Sequence, residues 1–125
     1  MMARNISFTV TIIVVLVFLS AVCAFSSSDV DKVLSTKECQ GCNLRNEDFS
    51  GTNLVAANLS NANLTGANLN LTDLSNANLT GANLSEANLS DANLTGAHLF
   101  GANFSNALWT DGTICGEGSF GKCKK

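Results

Sequence analysis

Large apolar residues recur at every fifth position through the middle of the chain. Ala usually stands two residues before each of them, Asn or Asp one residue before, and Ser or Thr often one residue after. The eight letters ANLTGANL occur twice, at 62–69 and at 77–84. Such repetition predicts a fold built by stacking one small unit. The fourteen apolar positions are Leu44, Phe49, Leu54, Leu59, Leu64, Leu69, Leu74, Leu79, Leu84, Leu89, Leu94, Leu99, Phe104 and Trp109.

A period of five fits neither a regular helix nor a flat strand. On an α-helix, positions five apart are rotated by about 140°, so the Leu residues would spread around the whole cylinder. On a flat strand, positions five apart point to opposite faces. The pattern therefore requires a bend in every unit. Asn, Ser, Gly and Asp are the residues that form such bends, because their side chains hydrogen-bond nearby backbone or tolerate tight turns.

These units resemble the motif A-[DN]-L-x-x of the pentapeptide-repeat family, and they run from Cys42 to Asp111. The resemblance implies an all-β solenoid, a right-handed quadrilateral β-helix in which four units form one square coil of twenty residues. Three and a half to four coils are expected, which makes a rod about 17 Å long at the usual strand spacing. The central apolar residue and the small residue two positions earlier are expected to point inward.

The resemblance also implies four internal ladders of residues twenty apart, with Ile114 continuing the third ladder in a degenerate fifteenth unit. The ladders are Leu44, Leu64, Leu84 and Phe104; Phe49, Leu69, Leu89 and Trp109; Leu54, Leu74 and Leu94; and Leu59, Leu79 and Leu99.

The first 24 residues are predicted to be a signal peptide. Arg4 and the N-terminal amine precede an apolar stretch, and Val22-Cys23-Ala24 places small residues before a cleavage site between Ala24 and Phe25. An uncleaved membrane anchor is the alternative, since residues 8–25 are just long enough to span a bilayer. We therefore expect an exported protein, periplasmic or secreted, with an organelle lumen or a membrane-anchored form as alternatives. After cleavage no membrane contact is expected.

Caps are expected at both ends of the solenoid, because an exposed edge would otherwise template stacking with another chain. In the N-terminal cap, residues 25–41, Ser28 has the character of a helix N-cap and predicts a short helix at about 29–35. In the C-terminal cap and tail, residues 112–125, Ile114, Phe120 and the segment between Cys115 and Cys123 are expected to cover the last coil.

Four cysteines remain after cleavage: Cys39, Cys42, Cys115 and Cys123. An even number in an exported chain suggests disulfides, while a redox CxxC at 39–42 and a four-cysteine zinc site are alternatives. The fold implied by the resemblance places Cys39 and Cys42 at the base of the rod and the other two at its top. That separation favours the pairs Cys39–Cys42 and Cys115–Cys123 and excludes one shared zinc site.

The sequence predicts a protein that is not an enzyme and has no catalytic residue, no metal and no cofactor. The chain has a net charge of −3 and no basic cluster, so no nucleic-acid partner is expected. His98, the single histidine, stands in an outward position without a carboxylate or cysteine partner in the pattern. An isolated histidine of this kind is typical of a tolerated surface substitution.

Apolar residues interrupt the outward, polar positions at Val55, Leu71, Phe100 and Leu108. Scattered surface apolar residues are common. If they mark a docking patch, Phe100 is its expected anchor, because aromatic residues dominate interface energetics.

We therefore predict a non-catalytic, extracytoplasmic structural or protein-interaction module, with another protein as the expected partner. The resemblance implies one alternative, a DNA mimic that inhibits gyrase, as some family members do. The repeat block has six acidic residues and one basic residue, and its other outward residues are mostly neutral. A redox role that depends on the CxxC is the other alternative.

Overall fold

The structure, a computed structural model, describes residues 28–125. The predicted signal peptide, its cleavage site and the first residues of the predicted N-terminal cap lie outside the described residues. No helix among residues 28–125 has the length and apolar character needed to span a membrane.

A helix, α1, covers the start of the rod at Asp29–Thr36, one residue longer than the pattern predicts. It begins because the Ser28 side chain accepts a hydrogen bond from the backbone N–H of Asp31 at 3.2 Å, and Asp29 and Asp31 lie in the first turn. It ends at Lys37, which has left-handed backbone angles. The Val33 side chain is fully buried, so α1 packs onto the first coil as a lid.

Residues 38–111 coil as a β-helix with a repeat of twenty residues. Asn43 bridges to Asn63 and Asn63 bridges to Asn83, both in parallel, and the same spacing recurs around each coil. The backbone N–H of Leu59 donates to the carbonyl of Asn78 at 2.8 Å, and the N–H of Asn78 donates to the carbonyl of Ala57 at 2.9 Å. Each side contributes a single bridging residue, so no extended strand occurs within residues 28–125.

The four sides of the rod are named by their apolar ladders. The first side carries Leu44, Leu64, Leu84 and Phe104; the second carries Phe49, Leu69, Leu89 and Trp109; the third carries Leu54, Leu74 and Leu94; and the fourth carries Leu59, Leu79 and Leu99.

The polar residues around each Leu form the corners. Oδ1 of Asn58 accepts hydrogen bonds from the hydroxyl of Ser60 at 2.7 Å and from its backbone N–H at 3.3 Å. The next residue, Asn61, has a positive φ of 57°, and the equivalent residue of every corner from 41 to 106 also lies in this region. Each turn is therefore stabilised by the hydrogen bonds from the Ser or Thr after the Leu to the Asn before it. The residue after that Ser or Thr adopts the left-handed conformation that closes the turn.

The interior is filled by the ladders and by Ala. The ladder residues from Leu44 to Leu89, among them Leu54, Leu74 and Leu79, are buried almost completely. Thr72 occupies an Ala position, and its hydroxyl donates to the carbonyl of Phe49 at 2.8 Å, which satisfies the buried polar group. The narrow tube thus leaves no space beside each Leu for a larger residue.

The C-terminal tail folds back instead of starting another coil. Gly112 turns the chain with a φ of 78°, and Ile114 then pairs antiparallel with Leu108 on the second side. Ile114 is 68% exposed. The expectation that Ile114 continues the third ladder is wrong, because the turn closes through a hydrogen bond from Trp109 N–H to the Thr113 carbonyl at 2.7 Å. After this turn, no residue from 114 to 125 bridges to the third side.

The tail seals two of the four sides. Beyond Ile114, Phe120 pairs antiparallel with Asn103 on the first side. Cys115 and Ser119 are the buried residues of this cap, whereas Phe120 is 59% exposed. The sequence analysis expected Ile114 and Phe120 to cover the last coil, but both side chains are largely exposed and do not form the buried part of the cap. The third and fourth sides end at Leu94 and Leu99, which are only partly buried.

Candidate functional site

The four cysteines of residues 28–125 lie at the two ends of the rod. Cys39 and Cys42 are joined, with Cα atoms 5.3 Å apart, and Cys115 and Cys123 are joined, with Cα atoms 5.0 Å apart. These are the pairs that the sequence favoured. Cys39 is fully buried and Cys42 nearly so, beneath α1. A redox partner must reach a sulfur to exchange with it, so this burial favours a structural disulfide over a redox CxxC.

Among the acidic and histidine side chains of residues 28–125, that of Asp29 lies beside the Cys39–Cys42 pair. Its carboxylate lies within 4.8 Å of the sulfur atoms of Cys39 and Cys42, and it also accepts a hydrogen bond from the backbone N–H of Asn43 at 2.8 Å. The two sulfurs are bonded to each other, so this cluster offers no thiolate pair to a metal. The Asp29 carboxylate instead ties α1 to the first coil. Sequence reasoning did not single out Asp29, because it depends on how α1 folds over the rod.

The four surface apolar residues do not form one patch. Phe100 lies at the corner between the fourth and first sides, and Leu71 lies at the diagonally opposite corner, between the second and third sides. Val55 lies at the corner between the third and fourth sides, in the first coil, and Leu108 lies on the second side, near the C-terminal end. Phe100 is 86% exposed, and Leu71 is 63% exposed. Any shared docking surface therefore contains at most one or two of them.

The acidic residues gather on one half of the rod. All six acids of the repeat block lie on the second side, its two corners or the third side, whereas the first and fourth sides and their shared corner contain no Asp, Glu, Lys or Arg between residues 42 and 111. The six are Glu47, Asp48, Asp73, Glu86, Asp91 and Asp111. Hydrogen bonds from Ser50 lower the pKa of Asp48, and hydrogen bonds from Ser75 lower that of Asp73, so both are charged at neutral pH.

This charge is sparse for a mimic of duplex DNA. DNA carries one phosphate charge per about 1.7 Å, so a rod about 17 Å long would need about ten charges. The repeat block has six acids, and one of them, Asp111, forms an ion pair with Lys125 at 2.7 Å. The acidic half therefore has about half of the required charge density.

The C-terminal end of the rod differs from the N-terminal end. Helix α1 covers the first coil, but Asn93 and His98 form no bridge to a later residue of the chain that the structure describes. Every residue from Asn93 to Gly101 is exposed or only partly buried. The tail approaches this segment at the corner that it shares with the first side, where a Cβ atom at Gly121 would lie 3.7 Å from the Gly101 nitrogen. One coil below, Leu74, Ala77 and Leu79 at the equivalent positions are fully buried. We call residues 92–101 the open edge.

Apolar side chains surround the open edge. Phe100 belongs to the edge itself, and the exposed Phe120 and Ile114 lie on the neighbouring sealed sides. Leu94, Leu99 and Trp109 are partly exposed at the same end, and the Trp109 ring stacks edge-on against Phe104 with ring centroids 4.9 Å apart. The sequence analysis did not predict an uncovered edge here. The repeat units centred on Leu94 and Leu99 have no repeat unit twenty residues later to cover them.

Comparison with known proteins supports this architecture. A family model described as pentapeptide repeats matches residues 38–70 and 67–106. No curated protein matches the chain. Among solved structures, the chain is 39% identical to HetL, a pentapeptide repeat protein involved in heterocyst differentiation regulation from the cyanobacterium Nostoc sp. strain PCC 7120, with a TM-score of 0.61 over 62% of this chain. The matched part spans 36% of HetL.

Two further solved structures resemble the chain less closely. A pentapeptide repeat protein from Nostoc PCC 7120 is 38% identical, with a TM-score of 0.41, and covers 57% of this chain and 67% of its own. A pentapeptide repeat protein from the Arabidopsis thaliana thylakoid lumen is 29% identical, with a TM-score of 0.32, and covers 62% of this chain and 68% of its own. Of these three proteins, HetL alone has a TM-score above 0.5.

Proposed function

Since this chain belongs to the pentapeptide repeat family, and its fold is accordingly a right-handed β-helix, we propose that it is a non-catalytic, extracytoplasmic module that binds another protein through the C-terminal end of the rod. The observation that carries the proposal is Phe100. Its ring is 86% exposed at the end of a corner whose earlier members, Gln40, Ser60 and Thr80, are polar. The exposed Phe120 and Ile114 lie at the same end of the rod.

A rigid rod suits this role on physical grounds. Each coil is fixed to the next by backbone hydrogen bonds and by a core that uses nearly every inward residue. A surface that is already ordered loses little conformational entropy on binding, so exposed apolar groups contribute more of their burial energy to affinity. Aromatic anchors near the centre of an interface commonly account for 2 kcal/mol or more, roughly a thirtyfold change in affinity.

The non-catalytic part of the proposal is supported by the arrangement of the titratable side chains. In residues 28–125, the cluster of Asp29, Cys39 and Cys42 is occupied by a disulfide, and the acids of the second and third sides are spread over several coils. A general acid or base requires a partner within hydrogen-bonding reach of a substrate in a sheltered site. The flat sides of the rod offer no such shelter.

The extracytoplasmic part of the proposal rests on residues 1–24 and on the four paired cysteines. Disulfides persist in oxidising compartments. Mass spectrometry of the protein recovered from the exported fraction is expected to show Phe25 as the first residue. An intact N-terminus in the membrane fraction would favour the uncleaved anchor instead.

The binding role is tested by crosslinking capture from the compartment in which the protein resides. Phe100→Ser is expected to reduce partner recovery at least tenfold while leaving the melting temperature unchanged, because the side chain is exposed. Leu71→Ser, at the diagonally opposite corner, is the matched control and is expected to retain the partner. Equal recovery with both variants would refute binding through the C-terminal end.

The DNA-mimic alternative is tested separately. The purified exported protein is expected to leave gyrase supercoiling unaffected at micromolar concentration, because its acidic half is short and sparsely charged. Strong inhibition would replace the proposed function with topoisomerase binding.

A further inference from the structure

We propose that the open edge, residues 92–101, binds an extended segment of another protein, which completes the unfinished third and fourth sides of the last coil by backbone hydrogen bonding. This inference rests on the proposed function and specifies the chemistry of the partner. The partner presents its backbone as a strand, together with two apolar side chains placed over Leu94 and Leu99.

The open edge has six backbone groups that have no partner within residues 28–125. They are the N–H groups of Leu94, Gly96, Leu99 and Gly101 and the carbonyls of Ala92 and Ala97. One coil below, all six equivalent groups are paired. For example, Leu74 N–H donates to the Asn93 carbonyl at 2.8 Å, Leu79 N–H donates to the His98 carbonyl at 2.9 Å, and the Ala77 carbonyl accepts from His98 N–H at 2.9 Å. Edges of this kind bind further strands.

The balance of donors and acceptors selects the occupant. The edge offers four donors and two acceptors. Two copies of the chain meeting edge to edge could form at most four hydrogen bonds and would bury four N–H groups without partners, at about 1–3 kcal/mol each. An extended foreign segment has both a carbonyl and an N–H on nearly every residue, so it can supply four acceptors and two donors. The edge therefore fits a foreign strand better than a second copy.

The sealed sides show that this end of the rod accepts an added strand. Phe104 N–H donates to the Ser119 carbonyl at 2.8 Å, and Gly121 N–H donates to the Ala102 carbonyl at 2.8 Å. The tail thereby completes the first side in the antiparallel direction, as it does the second side through Cys115, whose N–H donates to the Ala107 carbonyl at 2.9 Å. The open edge presents the same kind of backbone on the two remaining sides.

The side chains at the open edge define what the added segment carries. Leu94 and Leu99 are partly exposed at the top of their ladders and lie five residues apart. A matching segment places one large apolar residue over each of them and small residues beside these, because the tube beneath has space only for Ala or Thr next to each Leu. Phe100, next to Leu99, can cover the segment from outside.

The test uses a synthetic peptide with capped ends, TDLSNANLTG, which reproduces residues 72–81 of the chain, the segment that fills the same two sides one coil below. The full exported protein is labelled with ¹⁵N and titrated with the peptide. The amide signals of Leu94, Gly96, Leu99 and Gly101 are expected to shift and saturate. Those of Leu74, Asn76, Leu79 and Gly81, which are already paired, are the internal control and are expected not to move.

A second peptide, with Asn in place of both Leu residues, is the matched control and is expected to bind at least tenfold more weakly. The fluorescence of Trp109, the single tryptophan of the chain, provides an independent readout at the same end of the rod. No saturable shift at millimolar peptide would overturn the inference. Shifts at the same four amides on raising the protein concentration alone, with a doubling of mass, would overturn it in favour of a second copy.

This experiment is independent of the capture experiment with Phe100→Ser. If the peptide does not bind but capture still depends on Phe100, the edge inference fails and the proposed function stands. If the peptide binds at the four amides but Phe100→Ser and Leu71→Ser retain the partner equally, the edge accepts strands and the proposed function fails.

Discussion

Gly81 lies one coil above Asn61, and a Cβ atom at Gly81 would lie only 2.4 Å from Oδ1 of Asn61. The same relationship joins Gly66 to Asn46 and Gly96 to Asn76. Within residues 28–125, every Asn at the positive-φ corner position that has a coil above it lies beneath a Gly. The corner residue of one coil therefore restricts the corner residue twenty positions later, because the Asn side chain reaches into the space of the next Cβ.

Gly81→Ala is expected to cost more stability than Gly51→Ala. Both residues have φ near +65° to +69°, where a Cβ costs about 1–2 kcal/mol. At Gly51 the new methyl group would meet no atom within 4 Å, whereas at Gly81 it must displace Asn61 from its rotamer, at about 0.5–1.5 kcal/mol more. Urea denaturation measures both losses. The excess is expected to vanish in an Asn61→Gly background, and an excess that persists there would contradict the pairing.

Leu79→Asn is expected to lower the free energy of unfolding by about 3 kcal/mol or more. The substitution removes a fully buried side chain and leaves an amide without partners in a dry tube. Leu99→Asn, one coil higher in the same ladder, is the control and is expected to cost less than half as much, since water reaches that position. Thermal and chemical melts of the two variants decide this. Equal losses would mean that the fourth side is covered at its top.

Much of the fold follows from the sequence because one short pattern is repeated many times. The period of five, the inward Leu and Ala and the bend-forming polar residues each recur in nearly every unit. A unit that departs from the motif can therefore still be assigned from the units on either side of it. Ser28 also predicts α1 well, because an N-cap acts locally. The separation of the cysteines along the rod indicated the same two pairs that the structure contains.

The C-terminal end was predicted less well because it depends on one turn that is not repeated. Ile114 has the spacing of a fifteenth unit, but Gly112 reverses the chain before that residue can join the third ladder. The pairing of Asn61 with Gly81 links residues twenty apart and becomes visible only once the register of the coils is known. The open edge could have been predicted by counting, since fourteen units leave two sides of the last coil unfilled.

The two disulfides are expected to differ in how easily they are reduced in the folded protein. Cys123 is only partly buried, so a thiol reagent can reach the Cys115–Cys123 bond, whereas both sulfurs of Cys39–Cys42 lie beneath α1. Alkylation during a dithiothreitol time course, followed by mass spectrometry, is expected to label Cys115 and Cys123 first. Earlier labelling of Cys39 and Cys42 would show that α1 opens readily and would revive the redox alternative.

Stability is expected to fall in acid because of Asp48 and Asp73. Their pKa values are lowered in the folded protein, that of Asp48 by the side-chain and backbone hydrogen bonds from Ser50 and that of Asp73 by those from Ser75. A lowered folded pKa contributes stability that is complete above the unfolded value of 3.8 and is lost as the pH falls through the folded pKa.

The double variant Asp48→Asn/Asp73→Asn tests this pH dependence. Asn keeps the corner hydrogen bonds, as Asn58 does with Ser60, but it does not titrate. Melting temperatures measured between about pH 6 and pH 2 are expected to decline less steeply for the double variant than for the parent. Parallel curves would assign the acid sensitivity to other carboxylates.

Amide hydrogen exchange tests the open edge most directly, because Leu79 and Leu99 occupy the same ladder one coil apart. The N–H of Leu79 donates to the His98 carbonyl at 2.9 Å, whereas that of Leu99 has no partner within residues 28–125. In the free protein, Leu79 is expected to exchange at least a thousandfold more slowly than an unstructured amide, and Leu99 is expected to exchange nearly as fast as one. Equal protection of Leu79 and Leu99 would contradict an open edge at the end of the coiled rod.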